Sequence, residues 1–260
     1  MENFIYLIIG FLGLSIGSFL NVVIYRVPRE NFTASKRSVC PHCQNRLKWY
    51  HNVPLLSYLF LRGRCGFCGK KISLRYPLVE AVNTLLYLYF FWQLGLSLNF
   101  VIFAFLSSVL LAIFFIDLDF QIIPDVITLP GIVIGLGVSF APGGIGIVSA
   151  LIGFLVGGGA LYLIALLGDW LFKKDSMGGG DIKMAAMLGA FLGWQKVLLV
   201  FLSSAFIGLF VSVGIMFFSE KLRKNRVVPF GPFLALAAML AILYGDQIIN
   251  FYLSNFLQIR

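Results

Sequence analysis

Apolar stretches of about twenty residues recur along this chain, and they constrain its fold more than any other feature. Hydrophobic residues make up 60% of the sequence and charged residues only 12%, which excludes an ordinary soluble domain. The sequence therefore predicts an all-α polytopic membrane protein. Its eight predicted helices cover residues 4–24, 78–96, 98–116, 126–140, 145–167, 182–194, 197–218 and 230–253. Small residues spaced four apart, such as Gly153 with Gly157, predict close helix packing.

The formal charge of +9 is distributed as in a membrane protein and not as in a nucleic-acid-binding protein. Eleven of the twenty Lys and Arg residues lie between Arg26 and Arg75. If the chain alternates sides through eight helices, eighteen of the twenty fall on one face, which the positive-inside rule makes cytoplasmic. We expect both termini outside and the first helix retained as an anchor. The predicted cytoplasmic segments are 25–77, 168–180 and 219–229.

All four cysteines fall in the long polar segment 25–77, as two Cys-x-x-Cys pairs. The pairs are Cys40 with Cys43 and Cys65 with Cys68. A two-residue gap lets both thiolates of a pair reach one tetrahedral ion, so the spacing predicts a structural zinc site. We interpret His42 and His51 as bystanders because four thiolates complete such a site. A disulfide pair or a thioredoxin-like redox site is the alternative, disfavoured by cytoplasmic placement and the lack of a βαβ pattern.

Few acidic residues lie in or beside the apolar stretches, and those that do are functional candidates because a carboxylate in hydrocarbon is costly. The third helix ends near Asp117, with Asp125 shortly after it, and Asp181 follows three glycines at the start of the sixth helix. Asp117 and Asp181 are therefore expected at the same depth, near the inner interface. Asp125 follows Pro124 and precedes a helix, so we interpret it first as a helix N-cap, and Asp181 has the same interpretation as an alternative.

The three glycines before Asp181 favour a reactive carboxylate over an N-cap. Glycine costs backbone entropy, and three in a row clear side-chain bulk from around Asp181, as a bound peptide backbone would require. Two facing carboxylates cannot both ionise easily and hold a shared proton, which is the apparatus of an aspartic protease.

Five segments together resemble one known family, the type IV prepilin peptidases, relatives of the G-x-G-D intramembrane aspartyl proteases. They are GLSIGSFLNVVIYRVPRE (13–30), the two Cys-x-x-Cys pairs, SLRYPLVE (73–80), FIDLDFQIIPDVITLP (115–130) and GGGDIKMAAMLGAFLGW (178–194). The resemblance implies that Asp117 and Asp181 are the catalytic pair and that Gly178 and Gly180 are the glycines of G-x-G-D. We assign Gly178, Gly179, Gly180, Lys183 and Asp125 to the active-site loop.

The resemblance also implies two activities in the bacterial inner membrane, with the active site facing the cytoplasm. Such enzymes cut the short basic leader from prepilins or pseudopilins and then methylate the new terminal amine with S-adenosylmethionine. No Rossmann-type motif indicates the methyl-donor site, so we name only the polar residues bordering the cysteine segment, Asn21, Arg26 and Glu80, as candidates. The predicted domains are an N-terminal region, 1–96, and a protease domain, 97–260.

Two other functions remain as alternatives at this point. Paired acids also bind coupling ions in transporters, although transporter sites favour the bilayer midplane and inverted repeats, and no repeat is evident here. A peptidase without methyltransferase activity is the second alternative, and the long cysteine-bearing segment favours the bifunctional type.

Overall fold

The computed structural model is helical and divides into two compact units, residues 1–112 and 113–260. It describes residues 2–29, 38–173, 177–218 and 229–256. The described residues form eight α-helices, and they contain isolated β-bridges but no strands. The helices are α1 Glu2–Arg26, α2 Leu56–Phe60, α3 Arg75–Leu94, α4 Leu98–Phe120, α5 Asp125–Val138, α6 Ile147–Phe172, α7 Gly179–Phe218 and α8 Gly231–Phe256. The all-α prediction is confirmed.

The two helices predicted at 182–194 and 197–218 follow each other without a loop and are separated by a break at Gly193, and we label both halves α7. Gly193 has φ 79°, a left-handed conformation that interrupts the helix and that glycine adopts without a steric penalty. The chain turns back at this break, because Gly157 of α6 lies beside both Ala185, before the break, and Val197, after it. Lys196, just after it, pairs with Asp246 late in α8, whereas Gly208 lies against Phe233 early in α8. The second half of α7, 194–218, therefore runs antiparallel to α8.

Five helices of the described residues are long and apolar enough to cross a membrane, which supports an integral membrane protein. They are α1, α4, α6, α7 and α8. The predicted count of eight spans is not confirmed. At 1.5 Å per residue, the 14 residues of α5 are short for a hydrocarbon core of roughly 30 Å. Helix α3 contains Glu80 and Asn83 and several Tyr and Trp residues, which lower its hydropathy.

In the first unit, α1 packs closely on α3. A Cβ on Gly17 would lie 2.7 Å from the Cα of Glu80, so the two backbones approach each other at this point. Farther along the same interface, the buried side chain of Asn83 donates a hydrogen bond to the Gly13 carbonyl at 2.9 Å. Its amide oxygen accepts one from the buried Ser108 hydroxyl at 2.8 Å. These bonds satisfy polar groups that water does not reach.

In the second unit, α6 packs on the first half of α7 through small residues. A Cβ on Gly153 would collide with the Gly189 carbonyl, and one on Gly157 would collide with that of Ala185. The packing predicted from the small-residue spacing is therefore confirmed. Of the predicted cytoplasmic segments, residues 30–37, 174–176 and 219–228 lie outside the described residues.

Candidate active site and metal centre

Asp117 lies in the last turn of α4 and is buried, with 5% of its surface exposed. Helix α4 ends at Phe120, and Gln121 then adopts φ 56° as the chain turns toward α5. The backbone N–H of Gly231, the first residue of α8, donates a hydrogen bond to the Asp117 carboxylate. Asp117 is thus held by the end of one helix and the beginning of another.

Asp181 lies in the first turn of α7, close enough to Asp117 for an electrostatic interaction between the two carboxylates. The structure therefore brings together the two aspartates that the sequence predicts as a pair. Helix α7 begins at Gly179, so Asp181 is inside the helix and the N-cap interpretation of this residue is wrong. Its Oδ1 atom is buried and has no hydrogen-bond partner in the part of the chain that the structure describes. An oxygen in that state can receive a proton or a hydrogen bond from a substrate or water.

The glycines before Asp181 serve different purposes. A Cβ on Gly178 would lie 3.2 Å from Asp181 Oδ2, so this glycine leaves space beside the carboxylate, as the sequence suggests. A Cβ on Gly180 would lie 2.9 Å from the Cβ of Ile123, so Gly180 allows the start of α7 to pack against the segment that follows α4. Gly179 faces open space.

Asp125 and Lys183 form an ion pair at the start of α5 and α7. Lys183 Nζ lies 2.8 Å and 2.6 Å from the two carboxylate oxygens of Asp125. The N-cap interpretation of Asp125 is wrong because Pro124 occupies the cap position and no side chain caps the helix. Both side chains are substantially exposed, 40% for Lys183 and 52% for Asp125, so the pair lies at the surface of this unit.

The four cysteines converge in the first unit. Their Sγ atoms all lie within 4.8 Å of one another, and all four thiols are free. Four thiolates around one zinc ion at about 2.3 Å would be separated by roughly 3.8 Å, so a small adjustment would complete a tetrahedral site. The sequence prediction of a four-cysteine cluster is confirmed, and its residues fit a structural metal.

Each cysteine pair sits in its own small turn of the same design. Cys40 bonds Asn45 and Gln44 through its backbone, and the matching bonds around Cys65 go to Lys70 and Gly69. Bridges Val39 with Arg46 and Arg64 with Lys71 close the two turns. The backbone N–H groups of Cys68 and then Phe67 lower the pKa of the Cys65 thiol to about 7. Such amides stabilise a thiolate, the form that binds metal.

Two family models and several curated proteins match this chain. The model of the bacterial peptidase A24 N-terminal domain matches residues 11–94, and that of the type IV leader peptidase family matches residues 104–213. Similar curated proteins are the prepilin leader peptidase/N-methyltransferases of Aeromonas hydrophila, Pseudomonas putida and Legionella pneumophila. The first two are 39% identical over 94% of this chain and 92% and 91% of their own length. The third is 36% identical over 96% of this chain and 95% of its own. No solved structure matches the chain.

The chain belongs to the type IV leader peptidase family. It is a peptidase with N-methyltransferase activity. The structure of this peptidase divides between residues 112 and 113. The two matched ranges, 11–94 and 104–213, likewise separate an N-terminal region from a C-terminal one. The boundary predicted at residue 96 stays a prediction.

Two of the three candidates for methyl transfer in this leader peptidase are buried where α1 meets α3. Asn21, 4% exposed, donates hydrogen bonds to the carbonyls of Tyr76 and Gly17, while its Oδ1 has no partner among the described residues. Glu80, 8% exposed, accepts a hydrogen bond from the backbone N–H of Leu55 at 2.8 Å. Arg26 is partly exposed at the end of α1.

An apolar groove of about 350 Å³ lies between α5, α6 and the first half of α7, beside the aspartate site. Its lining includes Ile132, Phe154, Gly158, Ile182 and Lys183. Neither Asp117 nor Asp181 lines it, so it is not the reaction centre.

The sequence prediction missed the contribution of Gly231 to the aspartate site of this leader peptidase. The residue lies in Pro229-Phe230-Gly231-Pro232, and the family match ends before it, at residue 213. A glycine between two prolines at a helix start was the available signal, but it does not indicate which distant side chain the glycine contacts.

Proposed function

We propose that this enzyme cuts the leader from type IV prepilins or pseudopilins with Asp117 and Asp181. The observation that supports it is the pair formed by the buried Asp117 and the half-buried Asp181, in which Asp181 Oδ1 is buried without a partner among the described residues. Matching proteins are named for prepilin leader cleavage and N-methylation. Two neighbouring carboxylates that share a proton in a helical membrane protein are suited to peptide hydrolysis.

The chemistry follows from the shared proton. The charged carboxylate takes a proton from water as the water oxygen bonds to the peptide carbonyl carbon, and the protonated carboxyl donates a hydrogen bond to the carbonyl oxygen. The tetrahedral intermediate then collapses, the carbon–nitrogen bond breaks, and a carboxyl proton goes to the leaving amine. The water supplies both the new hydroxyl and the proton, so no covalent enzyme intermediate is needed.

We further propose that Cys40, Cys43, Cys65 and Cys68 hold one structural zinc ion. The convergence of the four sulfurs and the backbone N–H groups that stabilise the Cys65 thiolate support it. Zinc in a closed four-thiolate site supplies folding energy and no open coordination position for a reactant. Its role here would be to tie the two cysteine turns together.

We assign methyl transfer from S-adenosylmethionine to the region around Asn21 and Glu80, with Arg26 as a further candidate. The reaction needs a deprotonated amine held in line with the methyl donor. Asn21 offers a buried oxygen with no partner in the described residues, which fits a polar ligand such as an amine. The new amine exists only after leader cleavage, so methylation must follow proteolysis.

The enzyme is proposed to lie in the bacterial inner membrane with both reactions on the cytoplasmic side. The excess of Lys and Arg in segments 25–77, 168–180 and 219–229 supports this orientation. Reporter fusions in the cysteine segment and near Pro142 should report opposite sides of the membrane. Export of the cysteine segment would overturn the orientation.

The decisive experiment incubates the purified enzyme with a prepilin and S-adenosylmethionine and measures the N terminus of the product by mass spectrometry. We expect leader removal followed by a gain of one methyl group.

Asp181→Asn should still methylate a pre-cleaved peptide. Glu80→Gln should reduce methylation by roughly 10-fold or more while sparing cleavage, as loss of one positioning group does. Gln93→Ala, on the exposed far end of α3, is the matched control and should affect neither reaction.

Each failure has a separate meaning. If the wild-type enzyme cuts prepilin but does not methylate a pre-cleaved peptide, the enzyme acts only as a peptidase. Absence of cleavage would reject the proposed substrate class.

A further inference from the structure

The start of α8 leaves one backbone N–H free for a distant acceptor. The first N–H groups of a helix have no partner within the helix. In the first turn of α8, Pro232 has no N–H, and the N–H groups of Phe233 and Leu234 bond to the Phe230 carbonyl at 3.0 and 3.1 Å. The N–H of Gly231 donates instead to the Asp117 carboxylate.

The same residue leaves no space for a side chain. Gly231 is buried, and a Cβ built on it would collide with Asp117 Oδ2. It would also lie 3.0 Å from Asp117 Cγ and 3.0 Å from Ile123 Cδ1. Any residue larger than glycine must therefore displace the carboxylate, the end of α4 or the start of α8.

The two aspartates consequently differ in their surroundings. Asp117 has a backbone donor from another helix, whereas Asp181 keeps a buried oxygen with no partner among the described residues. One member of the pair is fixed and the other is left available. We propose that Gly231 is a positioning residue of the protease site, whose N–H and missing side chain hold Asp117 in place beside Asp181.

This inference rests on the proposed leader cleavage, and its test separates the two. Gly231→Ala is compared with Gly245→Ala, in the same helix, where a Cβ would make ordinary contacts of 3.5 Å with Lys196. We measure kcat and KM for prepilin cleavage and methylation of a pre-cleaved peptide. Gly231→Ala should lower kcat by about 100-fold, the effect of a misplacement of about 1 Å, with KM and methylation within about threefold of wild type. Gly245→Ala should match the wild type.

A thermal measurement that needs no activity covers the case in which Gly231→Ala folds poorly. Melting temperatures are compared for Gly231→Ala in the wild-type chain and in Asp117→Ala, where the colliding carboxylate is absent. The substitution should lower the melting temperature by about 3 °C or more in the wild-type chain and by less than half as much in Asp117→Ala.

Three results would overturn the proposal. The first is a Gly231→Ala enzyme whose kcat stays within threefold of an active wild type, which leaves the proposed function intact. The second is an equal loss of melting temperature in both backgrounds, since the collision would then not involve Asp117. The third is a wild-type enzyme that does not cut prepilin, which removes the proposed function and this inference with it.

Discussion

The thiol cluster and the carboxylate pair are assembled in opposite ways. Each pair of thiols comes from one short turn, fixed by backbone hydrogen bonds between residues a few positions apart. The two carboxylates instead come from the end of α4 and the start of α7, and their positions depend on Gly180 and Gly231 packing against residues far away in the sequence.

This difference is reflected in the chemistry that each group can perform. Four sulfurs that all lie within 4.8 Å of one another suit a symmetrical ion that holds the segment together. The carboxylates are unequal, because Asp117 has a backbone donor and Asp181 Oδ1 has no partner among the described residues. An unequal pair is what a reaction with separate acid and base roles requires.

The largest effect is expected from removing a charge of the carboxylate pair. Asp117→Asn and Asp181→Asn should each lower leader cleavage by at least roughly 10³-fold, because an amide cannot exchange the shared proton. Asp119→Asn is the control, since Asp119 lies in the same turn of α4 but is exposed, and it should retain activity. Cleavage is measured by the mass shift of a prepilin. Substantial cleavage by either paired variant would reject the dyad.

Removing one thiol should disturb the first unit without affecting the carboxylate pair directly. Purified protein should contain about one zinc per chain, and Cys40→Ser should lose most of it because only three thiolates remain. Residues 38–73 should then be cut faster in limited proteolysis. His42→Ala keeps all four thiols and should keep the metal. A metal-free protein with unchanged proteolysis and full activity would eliminate the zinc site.

The contrast between the locally built thiol cluster and the carboxylate pair built from distant helices also explains how much the sequence could predict. The four-thiol cluster follows from local spacing. The helices follow from the apolar stretches, and the ends of the predicted helices lie within about five residues of those in the structure when the break at Gly193 is counted as an end. Pairing Asp117 with Asp181 rested on their shared predicted depth, on the glycines before Asp181 and on the family resemblance, because equal depth alone does not make two helices neighbours. The N-cap interpretations failed because a cap depends on the residue where the helix begins, and α5 and α7 begin at Asp125 and Gly179.

What the sequence could not supply is which distant residues share a neighbourhood. Nothing near Asp117 in the sequence points to Gly231, because their contact forms only when α8 packs beside the end of α4 in the second unit. The predicted count of eight membrane spans stays a prediction. The boundary predicted between the helices at 182–194 and 197–218 does correspond to a break in the structure, at Gly193.

A moderate effect is expected where backbones meet in the second unit. Gly153→Ala should destabilise the protein by about 1–3 kcal/mol, since its Cβ would collide with the Gly189 carbonyl. Gly159→Ala, in the same helix but facing open space, should be neutral or stabilising by up to about 1 kcal/mol through helix propensity. Thermal unfolding in detergent measures both. Equal stability of the two variants would show that α6 and α7 can shift apart to accommodate the methyl group at little cost.

The smallest effect is expected from the ion pair between Lys183 and Asp125, which the sequence analysis assigned to the active-site loop. Its short distances suggest a strong interaction, but both side chains are 40% or more exposed, and exposed pairs contribute about 1 kcal/mol or less. A double-mutant cycle with Lys183→Met and Asp125→Asn should give a coupling of that size in thermal stability, decreasing as salt screens the charges. Leader cleavage should fall by no more than about fivefold in either single variant, because neither group touches the carboxylate pair in the way that Gly231 does. A 100-fold loss of cleavage in either single variant would instead mean that the ion pair takes part in the reaction. The two aspartates would then depend on a neighbouring charged group as well as on Gly231.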